Sequence, residues 1–408
     1  MNINWQRTAL GELETETGGV IQTGPFGSQL HMSDYSDEGT PVVMPTNIRD
    51  MRIDPTDIAR VGDEHVDRLV RHQLRPGDIL YSRRGDVEKC ALVTEHETGW
   101  LCGTGCLLVR VQGEHIDTRF LAYQLSTPAK RGWIRQHAVG LTMLNLNTGI
   151  LREIPIELPD FEEQRRIAEV LGALDDKIES NQAVITRAEQ LIDEIAVQRA
   201  TDLPMVALSE VCSLSKSTWK PETSPDQTVQ LFSLPAFDEG ATPEQAAVAS
   251  IKSNKTLMDR PGILVSRLNP RISRMWWVEI DAARVNVCSP EFAYLTAGDM
   301  HGLACTWLAV RSPEFRGEIV DRVTGTSGSH QRVRPADLMT IGVPDYRSLA
   351  EHLQATVLTL LHLVSDRRQQ SVALAELRDA LLPELMSGRM RVDEAGRLVS
   401  ENLGEEVR

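Results

Sequence analysis

Between Ile154 and Gln182 the chain reads IPIELPDFEEQRRIAEVLGALDDKIESNQ, and its hydrophobic pattern changes period partway. Ile154, Ile156 and Leu158 alternate with other residues, as on a half-buried strand. Pro159 and Asp160 stop that pattern, and a helical run of roughly forty residues follows. Asp160 is placed to cap the helix, with Glu163 at the third helical position to complete a capping box. Apolar or small residues then recur at Ile167, Leu171, Leu174, Ile178, Ile185, Ala188, Ile192 and Ile195. With Asn181 included, the steps alternate four and three, which is the seam of a coiled coil rather than the broad stripe of a surface helix.

A second run near the C-terminus has the same rhythm: Leu349, Leu353, Thr356, Leu360, Leu363, Arg367, Gln370, Leu374, Leu377 and Leu381. Each seam has a polar break near its middle, Asn181 in the first and Arg367 with Gln370 in the second. A polar seam residue penalises shifted registers, because a slip would set it against leucine. Antiparallel pairing would bring the two interruptions together. Two other arrangements compete: each helix packed on its own domain, or parallel association between chains. Pro383 is expected to end the second helix, and the acidic tail after it to fray.

The segments before the two helices also repeat, at a period of about 185 residues. RPGDILYSRRG (Arg75–Gly85) returns as RPGILVSRLNPR (Arg260–Arg271), a Pro-Gly turn and a short buried strand ending in Ser-Arg. LREIPIELPDF (Leu151–Phe161) returns as ADLMTIGVPDY (Ala336–Tyr346), and WQRTALGEL (Trp5–Leu13) as LPMVALSEV (Leu203–Val211). The fold expected is α+β: two similar strand-rich domains separated by two long antiparallel coiled-coil helices, with a pseudo-two-fold internal repeat. Residues 1–153 form the first domain, 154–202 an exit strand and the first long helix, 203–345 the second domain, 346–390 the second long helix, and 391–408 the acidic tail.

A chain of 408 residues has room for two or three cores. Its N-terminus lacks a basic-then-apolar pattern and no apolar run nears the length of a membrane span, which reads as cytoplasmic. Cys90, Cys102, Cys106, Cys212, Cys288 and Cys305 form no CxxC pair and read as buried thiols, with no metal site. Net charge is −15, and none of the segments 1–160, 161–202, 203–345 or 346–408 is basic overall. Contact with nucleic acid would have to come from local arginine clusters, or from a partner that supplies positive field.

Catalytic signatures are missing. The nearest approach to an (N/D)-P-P-(Y/F/W) methyltransferase loop is LNPR (Leu268–Arg271), without the second proline or the aromatic. There is no Gly-x-x-x-x-Gly-Lys-[Ser/Thr] phosphate loop. Asp175-Asp176-Lys177 has residue types suited to a nuclease, but it lies on the long helix and reads as a solvated face. The chain reads as a non-catalytic binding subunit.

The stretch Ile154–Glu179 resembles the first conserved helix and preceding strand of type I restriction–modification specificity (S) subunits. TGPFGSQL (Thr23–Leu30) and GDILYSRRG (Gly77–Gly85) resemble segments of that family's target-recognition domains, and LRDALLPELMSGRMRV (Leu377–Val392) the end of its second conserved helix. The second copy departs from the pattern: Arg347-Ser348-Leu349-Ala350 stands where the first has Glu162-Glu163-Gln164-Arg165. The resemblance implies two target-recognition domains, each reading half of a bipartite site in double-stranded DNA. It implies two modification subunits that bring S-adenosylmethionine, and restriction subunits that bring ATP and Mg2+, with no cofactor on this chain. The seam from Ile167 to Ile195 spans roughly 42 Å, against about 34 Å for one turn of B-DNA, so the paired helices are expected to act as a spacer. The alternatives are a coiled-coil scaffold or a stand-alone DNA-binding protein without methyltransferase partners.

Candidate DNA contacts fall in four clusters. In the first domain they are Arg83, Arg84 and Lys89 after a predicted strand, and Lys130, Arg131 and Arg135 around Trp133. In the second they are Arg267, Arg271 and Arg274 after the matching strand, and Ser327, Ser329, Gln331, Arg332 and Arg334 in a glycine-bearing loop. Arginine suits guanine, glutamine suits adenine, and serine suits phosphate. Ordinary solvated arginines are the competing reading. TGPFGSQ reads either as a loop approaching another backbone or as a turn anchored in the core by Phe26.

Overall fold

The structure, a computed structural model, describes residues 5–49, 51–140, 143–221, 227–323 and 331–404. The duplication read from the sequence is present in the paired entry and exit strands. Gln6–Ala9 pairs antiparallel with Pro155–Leu158, and Met205–Ala207 pairs antiparallel with Gly342–Pro344. Just after each opening strand, one backbone N–H reaches the turn before the exit strand: Leu10 to Ile154 O and Leu208 to Ile341 O, both at 2.9 Å.

Inside each repeat lies a four-stranded sheet of one topology. Cys106–Arg110 sits between Val20–Thr23 and Ile79–Ser82, with Cys90–Leu92 beyond. Its counterpart Phe292–Thr296 sits between Ser213–Leu214 and Gly262–Ser266, with Met275–Val278 beyond. Ile79–Ser82 and Gly262–Ser266 are buried at every position, which explains their unbroken apolar runs. A second sheet accompanies each, four-stranded in the first repeat and five-stranded in the second.

Two helices then follow in each copy, with matching caps. Asp117 and Asp299 accept the first-turn N–H groups of Thr118–Ser126 and Met300–Arg311. Thr127 and Ser312 cap Pro128–His137 and Pro313–Asp321, each with proline at the first helical position, where its missing N–H costs nothing.

The chain's contacts divide it into two units, residues 1–177 with 374–408 and residues 178–373. Both long helices, Phe161–Ala200 and Glu351–Met386, contribute to each unit. In the second unit the helices pair antiparallel: Glu189 meets Arg368 at 2.6 Å, while Asn181 donates to Gln370 at 3.0 Å and to Ser371 at 3.2 Å. Asn181 is 1% exposed. Ile185, Ala188 and Val364 form a small apolar cluster beside these polar contacts. In the first unit Arg378 donates to Asp175 at 2.7 Å.

Several expectations need correction. The deepest positions of the second helix are Val357, Leu361, Val364, Leu374, Leu381 and Leu385, whereas Leu353, Leu360, Leu363 and Leu377 are half-buried. Its central face is offset by one residue from the seam read in the sequence, because that helix also packs on the second domain's core through Val357 and Leu361. On the first helix Ile167, Leu171, Leu174, Ile185 and Ile192 are buried and Ile178 is half-buried. Pro383 does not stop the second helix, which continues to Met386. The described part of the tail is not frayed: Val392–Leu403 is helical, buries Val392, Ala395 and Val399, and pairs Asp393 with Arg166. Asp175 is not on a solvated face. It accepts from Tyr123 Oη at 2.5 Å as well as from Arg378, while Asp176 pairs with Arg119. Phe26 does not anchor the core; it is exposed, and Leu30 is buried instead. Among the described residues no helix is long and apolar enough to cross a membrane.

Candidate nucleic-acid interface

The strongest local correspondence between the repeats lies where the central strand ends in Ser-Arg. Ser82 Oγ donates to Arg84 O at 2.7 Å, and Ser266 Oγ to Leu268 O at 2.9 Å. Each serine thereby closes the chain into a tight turn as it leaves the sheet. The next residue is fixed on both sides. Arg83 N donates to Gly105 O at 2.8 Å, and Leu146 N donates to Arg83 O at 2.9 Å. Arg267 N donates to Glu291 O at 2.8 Å, and Val333 N donates to Arg267 O at 3.0 Å. A backbone bridge joins Arg84 to Asn145 in one copy and Leu268 to Arg332 in the other. The arginine-bearing loop is thus held against a later loop by the same bonds in both repeats.

In the first repeat this scaffold brings the two sequence clusters together. Arg84 is exposed. Arg83 is half-buried and its Nε is enclosed without a hydrogen-bond partner. Lys89 pairs with Asp86 at 2.8 Å. Arg135 reaches across from the helix Pro128–His137 to Glu88 at 3.6 Å. Trp133 stacks on His137 at 3.8 Å rather than standing open. Arg131 points inward near Tyr81 and Cys90, with its Nε also enclosed. Burial pushes the Cys90 thiol up to about 11, so the neighbouring guanidinium does not make it a thiolate. Lys130 does not belong to a DNA-facing cluster: it is buried and donates to Glu157 at 2.6 Å, tying its helix to the exit strand.

In the second repeat carboxylates hold two of the five candidate arginines. Arg274 grips Asp238 through two bonds of 2.6 and 2.9 Å. Arg332 grips Glu291 at 3.0 and 2.7 Å. Arg267 donates to Val333 O at 3.2 Å and to Pro290 O at 3.0 Å. Arg271 and Arg334 are exposed and Gln331 is half-buried. Ser327 and Ser329 lie outside the described residues. Arg271, Arg274 and Arg316 line a cavity of about 130 Å³ beside the loop. The sequence pattern did not point to Arg316, whose helix carries no basic cluster, nor to the roles of Asp238 and Glu291, which are remote in sequence from their partners. All six cysteines are buried and unpaired. No group of three or more His, Cys, Asp or Glu side chains that could hold a metal occurs among the described residues.

Residues 69–190, which include the arginine-bearing loop of the first repeat, match the model of the family described as Type I restriction modification DNA specificity domain. A protein of Methanocaldococcus jannaschii that carries the name of type I restriction enzyme MjaX specificity subunit is 30% identical over 146 residues. That alignment spans 34% of this chain and 34% of the relative, so the chain matches about a third of the relative's length. The crystal structure of a type I restriction–modification system S subunit from M. genitalium superposes with a TM-score of 0.56, covering 94% of this chain and 96% of that one. Identity there is 17%, and the likeness is one of fold. Residues 69–190 are thus similar to a type I restriction modification DNA specificity domain, in a chain whose fold resembles that of the M. genitalium S subunit.

Proposed function

We propose that the chain is the DNA-reading, non-catalytic specificity subunit of a type I restriction–modification complex. Each repeat reads one half of a bipartite site in double-stranded DNA, and the long helices set the spacing between the halves. Two modification subunits dock on this chain and bring S-adenosylmethionine. Where restriction subunits join, they bring ATP and Mg2+. The observation that carries this reading is the pair of arginine-bearing loops built by equivalent hydrogen bonds in the two repeats. Two copies of one scaffold with different side chains suit the reading of two different half-sites, since backbone placement is shared while base contacts differ. The first copy presents Arg84 where the second has Leu268, and the second presents Arg271.

The test maps methylated sites in cells carrying the chain with its modification subunits, then repeats the map with Arg84→Glu and with Arg271→Glu. Arg84→Glu is expected to erase or relax preference for one half-site only, and Arg271→Glu for the other. A methylation pattern unchanged by loss of the whole chain would overturn the proposal.

A further inference from the structure

Arg83 and Arg267 occupy equivalent positions, but their guanidinium groups have opposite circumstances. Arg267 is satisfied from within. It donates to two backbone carbonyls, and the residue whose carbonyl receives its N–H is Glu291, whose carboxylate also holds Arg332. Burial pulls the Arg267 guanidinium below its ordinary value, Arg332 adds to that shift and Glu291 opposes it. At the position equivalent to Glu291 the first repeat has Gly105, with φ of +86° and no side chain to offer. There Arg83 has neither an ion pair nor a side-chain hydrogen bond to any described residue, and its Nε is enclosed without an acceptor. A cation fixed by its backbone, packed at its Nε and left without an acceptor is a poor choice for a purely structural residue. Desolvating a donor without giving it a partner is unfavourable.

Resting on the DNA-reading function above, we propose that Arg83 takes its missing acceptor from DNA, whereas Arg267, its counterpart, is a structural residue that makes no DNA contact. The two halves of the site are therefore gripped unequally. The acceptor is an anionic or carbonyl oxygen of the duplex, supplied by a phosphate or by the O6 edge of guanine.

Arg83→Gln and Arg267→Gln in the full chain, assembled with its modification subunits, separate the roles. Melting is measured first, then affinity for a duplex carrying the methylated site over a range of salt. Arg83→Gln is expected to leave the melting temperature of the chain unchanged and to weaken binding at least tenfold. A phosphate contact gives a uniform loss across sequences, with the salt slope reduced by about 1, and a guanine contact gives lost discrimination at one base pair. Arg267→Gln is expected to lower the melting temperature and to keep duplex affinity below that temperature. Should Arg267→Gln not fold, Arg267→Lys serves, because it retains a donor for the carbonyls. The proposal is overturned if Arg83→Gln melts early as Arg267→Gln does, or if the folded Arg267 variant loses as much affinity as the Arg83 variant. Failure of the unsubstituted complex to bind any duplex would instead remove the DNA-reading function, and this inference with it.

Discussion

His72 shows how far folding can remove a single polar side chain from water without giving it a partner. It is 2% exposed and neither ring nitrogen has a hydrogen-bond partner. Burial, with the nearby Arg71 charge adding to it, pulls its ring down to about 4 from an ordinary 6.5. The unfolded chain thus takes up the proton at higher pH than the folded one. The stability His72 provides in its neutral form is complete above about pH 6.5 and is lost as pH falls toward 4. Melting temperature measured across that window should fall more steeply for the native chain than for His72→Leu, and identical slopes would refute the assignment. Asp175 is the converse case. Its sequence neighbours suggest a solvated helix face, but Tyr123 and Arg378, from remote stretches of the chain, converge on it. Charge type was legible at these positions, whereas long-range pairing was not, because nothing in a local pattern specifies which remote arginine arrives.

The long helices were the most legible elements, since four-three spacing sustained over many turns is the mark of a helix that pairs with another along its length. Their existence, the cap at Asp160 with Glu163 N at 2.9 Å from Oδ1, and the meeting of the polar interruptions are all present. Where legibility faltered was the second helix, whose middle serves two neighbours at once, so its deepest row shifts by a residue toward Val357 and Leu361. The Asn181 contact belongs to this scale. Asn181→Leu should make the second unit more resistant to denaturant while loosening its register. Cysteines placed at Ile185 and Val364, which share one apolar cluster, would then cross-link less efficiently than in the native background. Unaltered resistance together with undiminished cross-linking would count against a register role.

For the molecule as a whole, duplication was readable because Pro-Gly turns and Pro-Asp-aromatic exits survive in both copies. The matched helix caps were overlooked because they are one- and two-residue echoes, Asp117 with Asp299 and Thr127-Pro128 with Ser312-Pro313. A net charge of −15 looks contrary to DNA binding. Part of that acidity is committed internally, as Asp238 and Glu291 hold arginines of the second repeat. On the proposed function, helix length sets the distance between the two half-sites. Removing one heptad from each long helix keeps the seam facing its partner and shortens each rod by about 10 Å, or roughly three base pairs of duplex. The spacing between methylated half-sites should contract accordingly, and a constant spacing would dismiss the helices as its determinant.

The first unit is completed by residues 374–408, whereas the second is one uninterrupted stretch, 178–373. During synthesis the second unit can therefore close before the ribosome has delivered what the first still lacks. The part of the chain made before residue 178 is thus finished after the part that follows it, because it waits for residues 374–408.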